Sequence, residues 1–212
     1  MPSPAQPSNE RFTWTDYQHW PEEERWEIIG GQPFAMSPSP GSRHQLIATR
    51  LGAALEPHFR GKPCQLFAAP MDVRLSDEDV VQPDLLVVCD AKQIKPTHIE
   101  GPPRLVVEIL SPGSEQRDRH EKRALYTRFG VAEFWIVTPF PHLVEVYALK
   151  EGRYTYWNTF TARDRLTSPT FKKVEIDLAP IFDFPLEDHE KALFRVKEPP
   201  GRYMAASERQ GK

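Results

Sequence analysis

Apolar positions along the chain come in short groups whose period changes more than once. Between Ser42 and Phe59, Leu46, Ile47, Leu51, Ala54 and Leu55 recur at helical spacing, which predicts a helix capped by Ser42 and closed before Gly61. Upstream, Thr15 is read as the N-cap of a short helix reaching about Glu24. A β-hairpin of residues 26–29 and 34–36 follows, turned by Gly30-Gly31, and the stretch from Ser37 to Gly41 breaks the chain. From residue 65 the pattern becomes strand-like, with runs at 65–69, 72–75, 84–88 and 105–110, each closed by Pro, Gly or Asp. The last run is apolar on both faces, as a central strand requires. A helix over 114–129 stopped by Gly130 comes next. Strands at 133–137, 144–149 and 154–160 and a closing segment at 174–182 complete the pattern. With no internal repeat, this order predicts one α/β domain with a mixed central β-sheet flanked by helices.

Composition sharpens the picture. Proline accounts for 22 of 212 residues, about twice ordinary usage, which excludes a long bundle or coiled coil because each proline fixes φ and removes a donor. The chain is 39% hydrophobic and 11% aromatic, enough to build a core. Lys and Arg total 27 against 30 Asp and Glu, a net charge of −3, so a globally basic nucleic-acid binder is excluded and any phosphate site must be local. No segment approaches the roughly 20 apolar residues that span a bilayer, and residues 1–10 lack an apolar targeting core; no membrane association and a cytoplasmic location are expected. The expected layout is a disordered segment at 1–12, one domain at 13–190 and a disordered tail at 197–212. Cys64 and Cys89 both lie in apolar, strand-like runs and are read as reduced core residues, with a disulfide or a metal site the lesser alternative.

Chemistry is sought where polar residues interrupt apolar strands, because an unpaired buried carboxylate costs several kcal/mol or else stays protonated. Glu108 stands in Leu-Val-Val-Glu-Ile-Leu on the face shared with Val106 and Leu110. Asp84 follows Pro83 at the head of Asp-Leu-Leu-Val-Val. If these runs are neighbouring strands the two carboxylates converge, and their oxygens suit a hard divalent cation, Mg²⁺ or Mn²⁺. On a wheel of about 100° per residue, Lys122 shares an inward stripe with Glu115, Asp118, Leu125, Tyr126 and Phe129. There an ammonium can balance the carboxylates and orient a water at a phosphate, or merely snorkel past the core edge.

Pro83-Asp84, Glu108 in an apolar strand and Lys122 on the next helix resemble the PD-(D/E)XK nuclease superfamily with its restriction endonuclease-like fold, and more narrowly the Uma-type restriction endonuclease family. The matching text is Met36-Ser37-Pro38-Ser39-Pro40 with His44, the segment from Val81 to Val88, Val106 to Pro112, Arg117-Asp118-Arg119, Glu121-Lys122-Arg123, Tyr126, and Glu133 to Val137. The usual lysine position, two after the glutamate, holds Leu110, and the resemblance points instead to Lys122. It implies a metal-dependent endonuclease acting on nucleic acid, DNA above all, and a homo-oligomer, a dimer. Asp84, Glu108 and the carbonyl of Ile109 would bind Mg²⁺ or Mn²⁺, Lys122 would position the attacking water, and Tyr126 would support Lys122. Glu27 resembles an accessory acid, whereas Gly30 and Gln32 stand where such proteins usually carry acids, which puts a second metal in question.

Each residue also has a plainer reading. Asp84 can cap a turn, Glu108 can be a protonated or structurally paired core acid, Glu27 can face solvent on an edge strand, and His44 can be a surface histidine in the first turn of its helix. Five basic residues (Arg117, Arg119, Lys122, Arg123, Arg128) face four acids between 108 and 128, a mild excess that also suits a solvated helix face with pairs such as Asp118–Lys122. Tyr154, Tyr156, Trp157 and Phe160 can stack bases but are read as strand residues packing on the sheet. The rival function is a catalytically inactive nuclease fold kept as a nucleic-acid or protein-binding module.

Overall fold

The computed structural model describes residues 10–21, 24–36, 41–185, 187–188 and 190–191. The expected tail at 197–212, most of the expected disordered N-terminus, and Ser37 to Pro40 lie outside them. Arg11 and Phe12, inside the segment expected to be disordered, are held: Arg11 pairs with Glu78 and the Phe12 N–H donates to the Gly31 carbonyl at 2.9 Å.

Two larger sheets share the chain, where one was expected. The first has the order β2-β1-β5-β4-β7 and is built from β1 (Trp26–Ile29), β2 (Gln32–Ala35), β4 (Asp72–Ser76), β5 (Asp79–Val81) and β7 (His98–Glu100). The second has the order β11-β10-β9-β8-β6-β3. It comprises β3 (Gln65–Ala68), β6 (Leu85–Val88), β8 (Leu105–Ile109), β9 (Glu133–Thr138), β10 (Leu143–Lys150) and β11 (Arg153–Thr161). A ribbon of β12 (Arg165–Thr167) and β13 (Glu175–Asp177) closes the domain. Strands β5 and β7 escaped the sequence reading because three residues carry no measurable period; long-range pairing such as Ile28↔Val80 forms them.

Helices were less regular than the spacing implied. The first, α1 (Trp14–Tyr17), starts at Thr13, not Thr15, because Thr13 and Asp16 form a reciprocal capping box. The second, α2 (Ser42–Phe59), matches its expected bounds, with Gly41 as the cap residue. The expected helix at 114–129 is three pieces: α3 (Glu115–Arg117), a π-helical turn (Asp118–Lys122) and α4 (Arg123–Phe129), ended by Gly130 in the left-handed region at φ 81°.

Strict alternation assigns the six-stranded sheet's two faces. Leu85, Val87, Leu105, Val107, Trp135 and Val137 pack with Ile47, Leu51 and Leu55 of α2. Leu86, Val88, Val106, Phe134 and Ile136 pack with Leu125 and Tyr126 of α4 and with Val73 and Val81 of the other sheet. The segment from α3 to α4 is the crossover that joins the parallel pair β8 and β9. In β11, Tyr154 and Phe160 turn inward as expected, but a register shift opposite Val146/Tyr147 leaves both Tyr156 and Trp157 exposed.

The cysteine expectation is overturned: Cys64 and Cys89 form a disulfide across a separation of 25 residues. They extend the β3–β6 ladder by one step beyond Gln65↔Val88, which brings two sequence-distant residues side by side. Constraining a loop of that size in the unfolded chain stabilises by about 3 kcal/mol. A Cys64→Ser variant, or the parent in excess reductant, is therefore expected to melt roughly 6–12 °C lower in a thermal scan; unchanged midpoints would show that the bridge carries no stability.

Candidate active site

The β6–β8 register, Leu86↔Val106 and Leu85↔Val107, sets Asp84 opposite Glu108 one step further on. At that step the chain leaves the first sheet through Gln82-Pro83 and enters the second, so the site lies at the junction of the sheets. Asp84 accepts a 2.7 Å hydrogen bond from the Ile109 N–H on Oδ2, and His44 Nε2 lies 3.1 Å from the same oxygen. The surface reading of His44 is thereby corrected: the first turn of α2 aims the ring at Asp84, leaving its side chain 12% exposed.

Glu108 is buried and accepts on Oε1 from the Tyr126 hydroxyl at 2.6 Å and from Lys122 Nζ at 3.1 Å. The same ammonium lies 2.7 Å from Glu27 Oε1 and 3.4 Å from Asp118 Oδ1. Glu27 is 1% exposed on a strand paired on both sides, which overturns the solvent-facing reading of that residue. Its Oε1 also accepts from the Gln82 N–H at 3.0 Å. Lys122 thus links both sheets and the π-helical turn through one cation.

Sequence reasoning put Asp118 on the inward stripe with Lys122 but did not select it as a member of this cluster. The spacing of four residues to Lys122 was visible but fitted a solvated helix face equally well; Asp118 is in fact 2% exposed. Glu115, on the same wheel stripe, is instead exposed and bonded to Arg119, because the π-helical turn rotates what precedes it. The other basic residues disperse: Arg119 also holds Glu145, Arg128 holds Asp79, and Arg123 lies over the Tyr147 ring. Arg117 faces the site, 3.7 Å from Glu27 and stacked over Phe34. Gly30 and Gln32 point elsewhere, toward Asp79 and the Glu10 carbonyl, so the missing acids there do not strip this pocket.

Four carboxylates and three cations, Arg25, Arg117 and Lys122, line a cavity of about 90 Å³ that Ile109 also lines. Burial, together with neighbouring Asp118, Asp84 and Glu27, pushes Glu108 well above the usual carboxylate range despite Lys122. Asp118 is pushed up by burial too. Lys122 is raised as well: burial alone would lower it, but Glu108, Glu27 and Asp118 outweigh that cost, so it stays an ammonium and cannot act as a base. Burial and Glu108 push the Tyr126 phenol up, which keeps it a neutral donor. The cluster is short of positive charge.

A hard divalent cation fits that shortfall. Asp84 Oδ1 and Glu108 Oε2 engage in no hydrogen bond among the described residues. Among these residues no three His, Cys, Asp or Glu side chains are grouped as a metal cage. Mg²⁺ is commonly held by one or two carboxylates, with water and phosphate filling the remaining positions.

A strand-opening acid, an acid inside the neighbouring strand and a lysine on the crossover, mounted on this mixed sheet, define the restriction endonuclease-like class. The chain belongs to the Uma2 family, described as "Putative restriction endonuclease", whose model matches residues 14–179. It is similar to an uncharacterized protein, slr1290, of Synechocystis sp., 32% identical over 114 residues that cover 52% of this chain and 60% of that protein. A crystal structure titled as a "putative nuclease belonging to DUF820", from Anabaena variabilis, shares the fold. Its TM-score is 0.66 at 18% identity, over 81% of this chain and 97% of that one.

Proposed function

We propose that the protein is a metal-dependent endonuclease that hydrolyses phosphodiester bonds of nucleic acid, DNA above all. The observation that carries this reading is the meeting of Asp84, Glu108 and Lys122 at one small acidic cavity. Asp84, Glu108 and the Ile109 carbonyl would hold Mg²⁺ or Mn²⁺, which when bound polarises the scissile phosphate and makes a water more nucleophilic. Tyr126 and Lys122 fix one Glu108 oxygen, and the Ile109 N–H fixes one Asp84 oxygen, so each acid presents its other oxygen in a set direction. Lys122 cannot take the water's proton. Its weakest contact, the 3.4 Å approach to Asp118, is the one it can release to meet a phosphate oxygen. Arg25 and Arg117, which also line the cavity, would draw the anion in.

One observation favours the inactive-module alternative: Lys122 directs its N–H groups at three carboxylates. The test is a cleavage assay on DNA with Mg²⁺ or Mn²⁺ against an EDTA control, alongside calorimetric titration with Mn²⁺. The nuclease reading expects metal-dependent cleavage and Mn²⁺ binding; absence of both would remove it and favour the module.

Among the described residues no helix is long and apolar enough to cross a membrane. A cytoplasmic location belongs to the same proposal. So does a homodimer, supported by the sheet-edge strand β11 with its exposed Tyr156 and Trp157. Light scattering at micromolar concentration should return the mass of two chains; the mass of one would remove the dimer.

A further inference from the structure

Beside the acidic cavity runs a second, larger hollow of about 480 Å³, within the range of roughly 300–1,000 Å³ typical of small-molecule sites. Its walls are rings. Trp14 and Tyr17 are stacked at 5.6 Å, Tyr17 and Trp20 are 5.6 Å apart, and Trp20 meets Trp26 edge-on at 5.6 Å. Trp14 is buried against Ile28 and Val80, but Tyr17, Trp20 and Trp26 are only half-buried, so part of their faces meets solvent.

Hydrogen-bonding groups line the same hollow. Asp72 Oδ1 accepts from the Tyr17 hydroxyl at 2.7 Å and from Gln82 Nε2 at 2.8 Å, and Gln82 Oε1 accepts from Arg25 at 2.9 and 2.6 Å. Burial and Asp72 push the Tyr17 phenol up, so it stays protonated, with its proton given to Asp72 and its oxygen accepting from Gln82 Nε2 at 3.1 Å. Arg25 and Gln82 line both this hollow and the acidic cavity, and the Gln82 backbone donates to Glu27. A ligand would therefore pass from rings and polar edges to a guanidinium to carboxylates. That sequence matches a flat heteroaromatic base joined to a phosphate: the base has faces to stack and an edge to hydrogen-bond, and the phosphate has a charge for Arg25.

We propose that this hollow is a base-binding subsite for the nucleotide adjoining the scissile phosphate, which makes single-stranded or locally unpaired DNA the substrate class. The proposal rests on the nuclease reading. Inside a duplex both faces of a base are covered and its edge is paired, so only an unpaired base enters a concave site of this kind.

The experiment titrates full-length protein, carrying Trp157→Phe to remove the exposed tryptophan of β11, in EDTA so that nothing is cut. Tryptophan emission is followed as a short single-stranded oligonucleotide, or its blunt duplex, is added. Quenching by the single strand is expected, with affinity at least tenfold above the duplex. Trp20→Ala should weaken single-strand binding about tenfold, and Trp20→Phe, which keeps a stacking face, should restore most of it. Equal affinity for the two DNA forms, or binding unchanged by Trp20→Ala, overturns the subsite. Parallel cleavage assays with Mg²⁺ keep the two readings apart. Trp20-dependent single-strand binding without any cleavage leaves the subsite standing and removes the nuclease reading. Metal-dependent cutting of duplex that ignores Trp20→Ala does the reverse.

Discussion

Replacing Lys122 by methionine is expected to lower the melting midpoint by roughly 10 °C at pH 8. The ammonium stands among Glu27, Glu108 and Asp118, all nearly sealed from solvent, and methionine keeps much of its volume but none of its charge. Removing one partner of a buried ionic cluster costs about 3–5 kcal/mol, because the charges left behind stay desolvated. For a domain of this size each kcal/mol moves the midpoint by about 2–4 °C. The deficit has a definite pH dependence. An acid whose folded pKa lies above its unfolded value binds more protons in the folded state, so stability falls as pH rises through the window between the two. Glu108 and Asp118 are already raised, and losing the lysine raises them further; the deficit is therefore expected to shrink from pH 8 to pH 5. Scanning calorimetry at the two values checks this, and a midpoint within about 2 °C of the parent at pH 8 would mean that the lysine balances nothing. Burial of all three partners is what makes the lysine a structural residue.

Asp84→Asn and Glu108→Gln are expected to lower metal-dependent cleavage by about three orders of magnitude, since the loss of a metal's electrostatic assistance is worth several kcal/mol. The second variant should also melt slightly higher than the parent at neutral pH and in EDTA. Its carboxylate is held above its usual pKa chiefly by burial, so the ionised form is disfavoured in the fold, and a neutral amide of the same shape relieves that cost. Each kcal/mol relieved corresponds to about 2–4 °C. Lost activity with gained stability is the signature of a group kept for chemistry. Undiminished cleavage in both variants would remove these acids from the mechanism.

The α/β class, the bounds of α2, the central position of β8 and the inward Lys122 were legible because apolar alternation and helical spacing report local geometry directly. The choice of Asp84 and Glu108 was legible for a related reason: a charge inside an apolar strand is anomalous wherever it occurs. Asp118 and Glu27 were legible only in part: Asp118 fell on the inward stripe and Glu27 was an accessory candidate, but a solvated helix face and a solvent-facing edge strand fitted their neighbourhoods as well. His44 needed the position of α2 against β6, and the Cys64–Cys89 bridge needed the β3–β6 register.

Proline and charge mark the division most clearly. By itself the sequence determined that Pro83 precedes Asp84 and that a net charge of −3 leaves no general affinity for phosphates. Only the tertiary structure decided that Gln82-Pro83 is the passage between two sheets, that Asp84 lies opposite Glu108, and that one ammonium joins β1, β8 and the π-helical turn. The physical reason is that periodicity is a property of neighbouring residues. A buried charge, by contrast, is settled by whichever distant groups strand pairing brings within a few ångströms of it.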